Sequence, residues 1–142
     1  MTDPYDLDRF VQAQEPVMAQ VLAELAAGRK RTHWMWFVFP QLAGLGHSAM
    51  ARRYALKSLD EARAYSAHPV LGPRLVRCAG LVNSAEGRTI NAILGSPDDL
   101  KFHSSMTLFA LAQPGEVVFR QALDAHFGGA MDPMTVEKVA SP

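Results

Sequence analysis

Proline and glycine cut this chain into segments too short for long helices, and most of the segments between them repeat their apolar residues at helical spacing. Nine prolines and ten glycines are spread over 142 residues. Between Pro16 and Gly28, the residues Val17, Met18, Val21, Leu22 and Leu25 recur every three or four positions, which is the pattern of one helix face. The stretch from Val117 to Phe127 is amphipathic in the same way and ends at Gly128-Gly129. Few segments alternate with the period of two that a half-buried strand shows. The expectation is an all-α fold: a compact single-domain bundle of roughly six to eight short helices over residues 1–142, fraying at about 1–5 and 140–142.

Local signals place the helix ends. Asp6 or Asp8 starts a first helix carrying Leu7, Phe10 and Val11, and Pro16 interrupts it, because proline removes a backbone donor and clashes with the preceding turn. Ser48 caps a helix containing Met50, Tyr54 and Leu56. Ser58-Leu59-Asp60-Glu61 has the spacing of a capping box, and its helix runs to about Ala67, before His68-Pro69. Pro69 or Pro73 opens the next helix, which Gly87 closes. Thr89 to Leu94 makes one or two turns before Gly95. The clearest start is Ser96-Pro97-Asp98-Asp99: a serine cap, a proline in the first position and two carboxylates at the positive end of the dipole. That helix reaches about Ala112, and Asp132-Pro133 begins a last short one. The run Trp34-Met35-Trp36-Phe37-Val38-Phe39 is apolar throughout, so periodicity leaves it open. A short buried helix is the preferred reading and a strand its rival.

Charge and cysteine usage narrow the function classes. Fourteen basic residues balance fourteen acidic ones. General nucleic-acid binding usually needs a basic surplus, so it is not expected. The single cysteine, Cys78, cannot form an internal disulfide, and its apolar neighbours make it a small buried side chain rather than a nucleophile. The start, Met1-Thr2-Asp3-Pro4-Tyr5-Asp6, has no apolar signal region. The longest apolar run, Trp34 to Phe39, is far too short to cross a membrane. A cytoplasmic protein is the default expectation. The five histidines lack metal-ligand spacing, and no Gly-rich phosphate loop or Gly-x-Ser-x-Gly element occurs. No metal and no cofactor is expected.

Two segments draw attention as chemistry. Lys30-Arg31-Thr32-His33-Trp34 leads through Trp36 to Pro40-Gln41, setting two indoles and a histidine beside cations. Trp34 and Trp36 offer flat faces for stacking, Lys30 could hold phosphate or carboxylate, His33 could move a proton, and Gln41 could read an amide edge. The plainer account makes both tryptophans core and the cations a solvated turn. On a wheel at about 100° per residue, the helix after Ser96 groups Leu100, Leu108 and Leu111 on one side and Phe102, Met106 and Phe109 on another. Lys101 and Ser105 fall between them, with Ser104 near the leucines. Polar groups inside an apolar circumference need partners, and a ligand would supply them. Lys101 snorkelling to water and serines bonding to backbone carbonyls would do as well. His103, at helical spacing from Asp99, is an acid–base candidate that Asp99 could orient.

The runs His33–Gln41, Gly44-Leu45-Gly46, Ala51-Arg52-Arg53-Tyr54-Ala55, His68–Leu75 and Asp98–Phe109 together resemble the bacterial family catalogued as domain of unknown function 1810. The resemblance covers about Asp6 to Phe127, with several long motifs in order. It implies a largely helical single domain in a bacterial cytosol and carries no established activity or catalytic residues. Members are sometimes labelled calpastatin-like, but nothing in this sequence supports protease inhibition.

The residues therefore point to a pocket where the His33–Gln41, Arg52-Arg53-Tyr54 and Lys101–Ser105 segments meet. It would bind a small anionic, nucleotide-like metabolite. Trp34 or Trp36 would stack, Lys30, Arg52, Arg53 and Lys101 would hold charge, and Gln41, Ser104 and Ser105 would hydrogen-bond. His33 and His103 are the catalytic candidates if the ligand is hydrolysed or a group transferred. The alternative is a non-enzymatic protein-interaction module with an exposed apolar patch of Leu7, Phe10 and Val11. The sequence leaves the oligomeric state open.

Overall fold

The computed structural model describes residues 3–140. Among the described residues ten helices follow one another, and the only β-contact is an isolated parallel bridge between Leu42 and Leu56. The order is α1 (Asp8–Gln14), α2 (Met18–Ala26), α3 (Met35–Val38), α4 (Ala49–Arg53), α5 (Leu59–Ala67), α6 (Leu71–Asn83), α7 (Ile90–Leu94), α8 (Asp98–Ala112), α9 (Val117–Phe127) and α10 (Pro133–Ala140). The fold is all-α. It has more helices than the six to eight expected because the short pieces α3, α4 and α7 each close hydrogen-bonded turns of their own.

The longest helix, α8, is the axis of the fold. It packs on α5, α9, α10 and α7, while α6 closes against α9, α5 and α2. From Ser104 to Ala110 every residue of α8 is buried, the polar Ser104, Ser105 and Thr107 included. Phe102 meets Phe39 edge to face with ring centroids 4.9 Å apart, and Phe10 meets Tyr65 likewise at 5.0 Å. Each such ring, fully withdrawn from water, stabilises by about 1.5–3 kcal/mol. The leucines do not share one fate: Leu108 is fully buried, whereas Leu100 in the first turn is 63% exposed. The apolar run at Trp34 resolves as the helical turn α3 and not as a strand, with Trp34, Phe37, Val38 and Phe39 in the core.

Several local expectations hold. Ser48 accepts the Ala51 amide, Ser58 the Glu61 amide and Thr89 the Ala92 amide. Gly28, Gly95 and Gly128 follow helix ends with positive φ. Others change. The first helix does begin at Asp8, one of the two expected starts, but the side chain that holds its first amides lies further back: the Asp3 carboxylate accepts the Leu7 and Asp8 amides, each at 2.9 Å. Leu56 is not helical; it accepts the Ala43 amide and donates to the Gln41 carbonyl, because Leu42 and Leu56 run side by side. Glu61 reaches back to the Lys57 amide at 3.3 Å, one residue before the serine. α6 ends at Asn83, short of Gly87. Pro97, not Ser96, precedes the first residue of α8, and no side chain caps that helix.

The fraying expected at the ends falls partly on residues 1–2 and 141–142, outside the described residues. Within them, Asp3 caps α1, the Tyr5 carbonyl accepts from Arg9, and α10 extends to Ala140. The apolar patch expected of Leu7, Phe10 and Val11 does not form: Leu7 and Phe10 belong to the core, and Val11 packs half-buried against it.

Candidate functional site

The Leu42–Leu56 bridge and the short α4 bring the expected segments together. The bridge lays Gln41 beside the end of α4, and α8 supplies Lys101. A narrow slot results, lined by Trp36, Gln41, Ala51, Tyr54 and Lys101 over Met35 and Phe39. The Lys101 ammonium sits 5.4 Å from the Trp36 ring centre, within cation–π range. At about 10 Å³ the slot has room for roughly one water. Three sequence candidates, Trp36, Gln41 and Lys101, thus meet in one place.

Other candidates are engaged elsewhere. Trp34 is buried, and its indole N–H donates to the Glu24 carboxylate at 3.0 Å. Lys30 is almost fully covered, with its ammonium 2.9 Å from Asp98 and 5.1 Å from the Trp34 ring centre. Asp98 also lies 3.8 Å from Lys101, so it links the two lysines. Ser104 donates to Asp132 and the Leu100 carbonyl, tying α10 to α8. Ser105 is fully buried, and its hydroxyl has no hydrogen-bond partner among the described residues. His33 is exposed. Asp99 does not orient His103. The His103 ring stacks on Phe127 at 4.0 Å and its Nε2 meets the Ala130 carbonyl at 2.8 Å, while Asp99 accepts from Asn91 and the Leu100 amide. Neither histidine lines the slot.

Arg52 and Arg53 face a different opening. Because consecutive helical residues point in different directions, Ala51 and Tyr54 look into the slot while Arg52 and Arg53 look into a cleft of about 470 Å³. The rest of its wall comes from Tyr5, Asp6, Arg9, Lys57 and Glu61, with Pro4 and Ala55. Arg9 is structural: its guanidinium donates to the carbonyls of Arg53, Ala55, Tyr5 and Asp6 and lies 3.4 Å from Glu61. It ties α1 to the α4–α5 loop and neutralises the buried Glu61. Arg52 is exposed and donates to the His47 carbonyl, Arg53 lies over the Tyr54 ring, and Lys57 is exposed. Among the described residues none of these three forms an ion pair with a carboxylate.

Sequence reasoning missed Tyr5, Asp6, Arg9 and Lys57. Asp6 read as a helix start and Lys57 as a lone charge before a cap. Arg9 makes its decisive bonds across 44 and 46 residues, where no spacing rule reaches. Metal chemistry gains nothing from the geometry: among the described residues no three His, Cys, Asp or Glu side chains gather to hold an ion. No described helix is long and apolar enough to cross a membrane. Cys78 is buried, and burial pushes its thiol up to about 12.

The molecule is thus an all-α bundle with a cation-lined cleft and an aromatic slot set on opposite sides of one short helix. The chain belongs to the family described as "Protein of unknown function (DUF1810)", whose sequence pattern matches residues 4–139. It is similar to the conserved hypothetical protein Rv1873 from Mycobacterium tuberculosis, known from a crystal structure. The two are 56% identical, with a TM-score of 0.97, over 99% of this chain and 100% of that one. No curated protein matches the chain.

Proposed function

We propose that the chain binds a small anionic, nucleotide-like metabolite in the cleft of Arg52, Arg53 and Lys57. One observation carries the reading: in a chain of zero net charge, three cations without carboxylate partners among the described residues surround one opening of small-molecule size. Guanidinium forks match phosphate and carboxylate oxygens in two-point geometry. Arg9 supports the reading by satisfying the carbonyls at the end of α4, which would otherwise oppose an incoming anion.

Lys101, Trp36 and Gln41 form the second wall of α4 and serve a single small group or a water. His33 and His103, the expected acid–base candidates, line neither opening, so binding is the part of the expectation that the cleft supports. The rival, a protein-interaction module, loses the patch expected of Leu7 and Phe10, which are buried. We place the protein in the bacterial cytosol, which fits its single buried thiol and its mycobacterial relative.

A thermal-shift screen against nucleotides, sugar phosphates and other anionic metabolites at low salt tests this. A ligand of the folded state raises the melting temperature. The rise should shrink with added salt and vanish in Arg52→Ala, Arg53→Ala and Lys57→Ala variants. A rise that survives all three substitutions, or a flat screen of well-folded protein, refutes the reading.

A further inference from the structure

Asp6 stands on the wall of the basic cleft with a backbone that most side chains avoid. Its φ is 51°, and among the described residues it is the one non-glycine residue with positive φ. Aspartate tolerates this region better than most. Such placements persist where the surroundings over-determine them, and they concentrate at ligand sites. Here the surroundings are explicit. The Asp6 amide donates to the Asp3 carbonyl at 3.1 Å. The Asp6 carbonyl accepts from the Arg9 amide at 3.3 Å and from Arg9 Nη1 at 2.7 Å. The Asp3 carboxylate fixes the next two amides, those of Leu7 and Asp8.

The cleft is lined by two carboxylates, and only one is committed. Glu61 is buried and held by Arg9 and the Lys57 amide. Asp6 is exposed, and among the described residues its carboxylate has neither an ion-pair nor a hydrogen-bond partner. Among the described residues the wall therefore offers three cations without a carboxylate partner and one unpartnered carboxylate. A bare anion would gain from the cations and be repelled by Asp6. A ligand with hydrogen-bond donors beside its anionic group would use both, because an ionised carboxylate is an acceptor only. Neighbouring hydroxyls on a sugar ring are such donors, as in the acidic residue that holds ribose in dinucleotide sites. The cleft, at about 470 Å³, is larger than a lone phosphate needs.

We infer that this cleft selects a phosphate ester carrying neighbouring hydroxyl groups, with Arg52, Arg53 and Lys57 on the phosphate and the Asp6 carboxylate on the hydroxyls. The inference rests on the anion-binding reading above and adds the ligand class. Sugar phosphates and nucleotides share this chemistry.

Calorimetric titration of the full chain at low salt, with ribose 5-phosphate, adenosine 5′-monophosphate, inorganic phosphate and citrate, separates the cases. Ribose 5-phosphate should bind about tenfold more tightly than inorganic phosphate. Asp6→Asn should cut that ratio to about threefold or less while binding inorganic phosphate no more weakly. Asparagine tolerates the left-handed region, so the fold should stand. Asp6→Gly, which carries no positive-φ penalty, should behave the same way. Adenosine monophosphate binding more tightly than ribose 5-phosphate marks a nucleotide ligand, and weaker binding marks a sugar phosphate; either supports the inference. An unchanged ratio in both Asp6 variants overturns it, as does ribose 5-phosphate binding no more tightly than phosphate. Citrate binding alone overturns it and leaves the anion reading standing. If no probe binds the folded protein, the anion reading falls with it.

Discussion

Trp34 donates its indole N–H to the Glu24 carboxylate at 3.0 Å, and both side chains are buried. Glu24 also accepts from the Arg31 and Thr32 amides, the Thr32 hydroxyl and the Gln20 amide group. This carboxylate organises the turn between α2 and α3, and through Trp34 it sets where α3 and the slot begin. Burial alone would raise its pKa, but the hydrogen bonds from Arg31, Gln20, Thr32 and Trp34 outweigh it and hold the group at about 2, below the ordinary 4.5. A carboxyl whose folded pKa is depressed stabilises the fold above its unfolded pKa, and that contribution fades as pH falls through the folded value. The wild-type protein should therefore lose on the order of 3 kcal/mol between about pH 4.5 and 2 through this group. Glu24→Gln presents one oxygen and a misplaced donor to these partners, so it should lose a similar amount at pH 7. Urea denaturation across that pH range checks both: the wild-type minus variant difference should collapse at the acid end. A difference that stays constant with pH would refute the assignment.

Gly72 opens α6 where it crosses the end of α5. A Cβ built there would lie 2.2 Å from the Ser66 carbonyl oxygen, far inside contact distance and against backbone that cannot swing aside. Gly72 is buried at a helix start where its φ is ordinary, so the demand is for space and not for conformational freedom. Gly72→Ala should destabilise by about 1–3 kcal/mol, the usual cost of forced overpacking. Gly80→Ala, in the same helix with open space around it, should stabilise by about 0.5–1 kcal/mol. Paired thermal or urea melts of the two variants give the comparison, and equal effects would mean that the α5–α6 crossing yields easily.

The helix ends legible in the sequence were those whose signals are local. Ser48, Ser58 and Thr89 accept amides three residues on, and Gly28, Gly95 and Gly128 turn the chain where they stand. One miss was local: the Asp3 carboxylate holds the amides four and five residues on, at the start of α1. The other misses were non-local. The pairing of Leu42 with Leu56 depends on a single bridge outside any strand pattern. The same limit divides the candidate site. Trp36, Gln41 and Lys101 come together as their segments suggested, but Lys30 is taken by Asp98 and Trp34 by Glu24. The wheel that placed Lys101 and Ser105 side by side could not tell that one is half-buried over an indole and the other sealed in the core.

Cys78 lies on the buried face of α6, and burial pushes its thiol up to about 12. The thiolate is the reactive form, so in the native state both access and ionisation are withheld. A thiol reagent such as 5,5′-dithiobis(2-nitrobenzoate) should leave the folded protein unmodified at pH 8 over the time in which a free thiol reacts fully. Partial denaturant should release the reaction, at a rate that follows the unfolded fraction. Rapid labelling without denaturant would show that α6 opens locally and would return Cys78 to the set of functional candidates.

The cleft joins two kinds of cation that a charge count would treat alike, and substitution should separate them. Arg9 donates to four backbone carbonyls and faces Glu61, whose side chain is 3% exposed. Arg9→Ala leaves that buried carboxylate and the carbonyls at the end of α4 without partners, and breaking a buried pair from one side costs on the order of 3 kcal/mol. Arg53 and Lys57 are exposed, and removing either deletes no ion pair among the described residues. Their alanine variants should melt with the wild type while losing anion binding. In Arg9→Ala the melting temperature should fall, and adding Glu61→Gln should recover part of the loss, because the stranded charge is then gone. Melts of the single and double variants, read beside phosphate binding, test this division. If Arg9→Ala keeps full stability, the α1 to α4–α5 tie is not the frame that holds the cleft open, and Arg9 belongs with the ligand-facing cations.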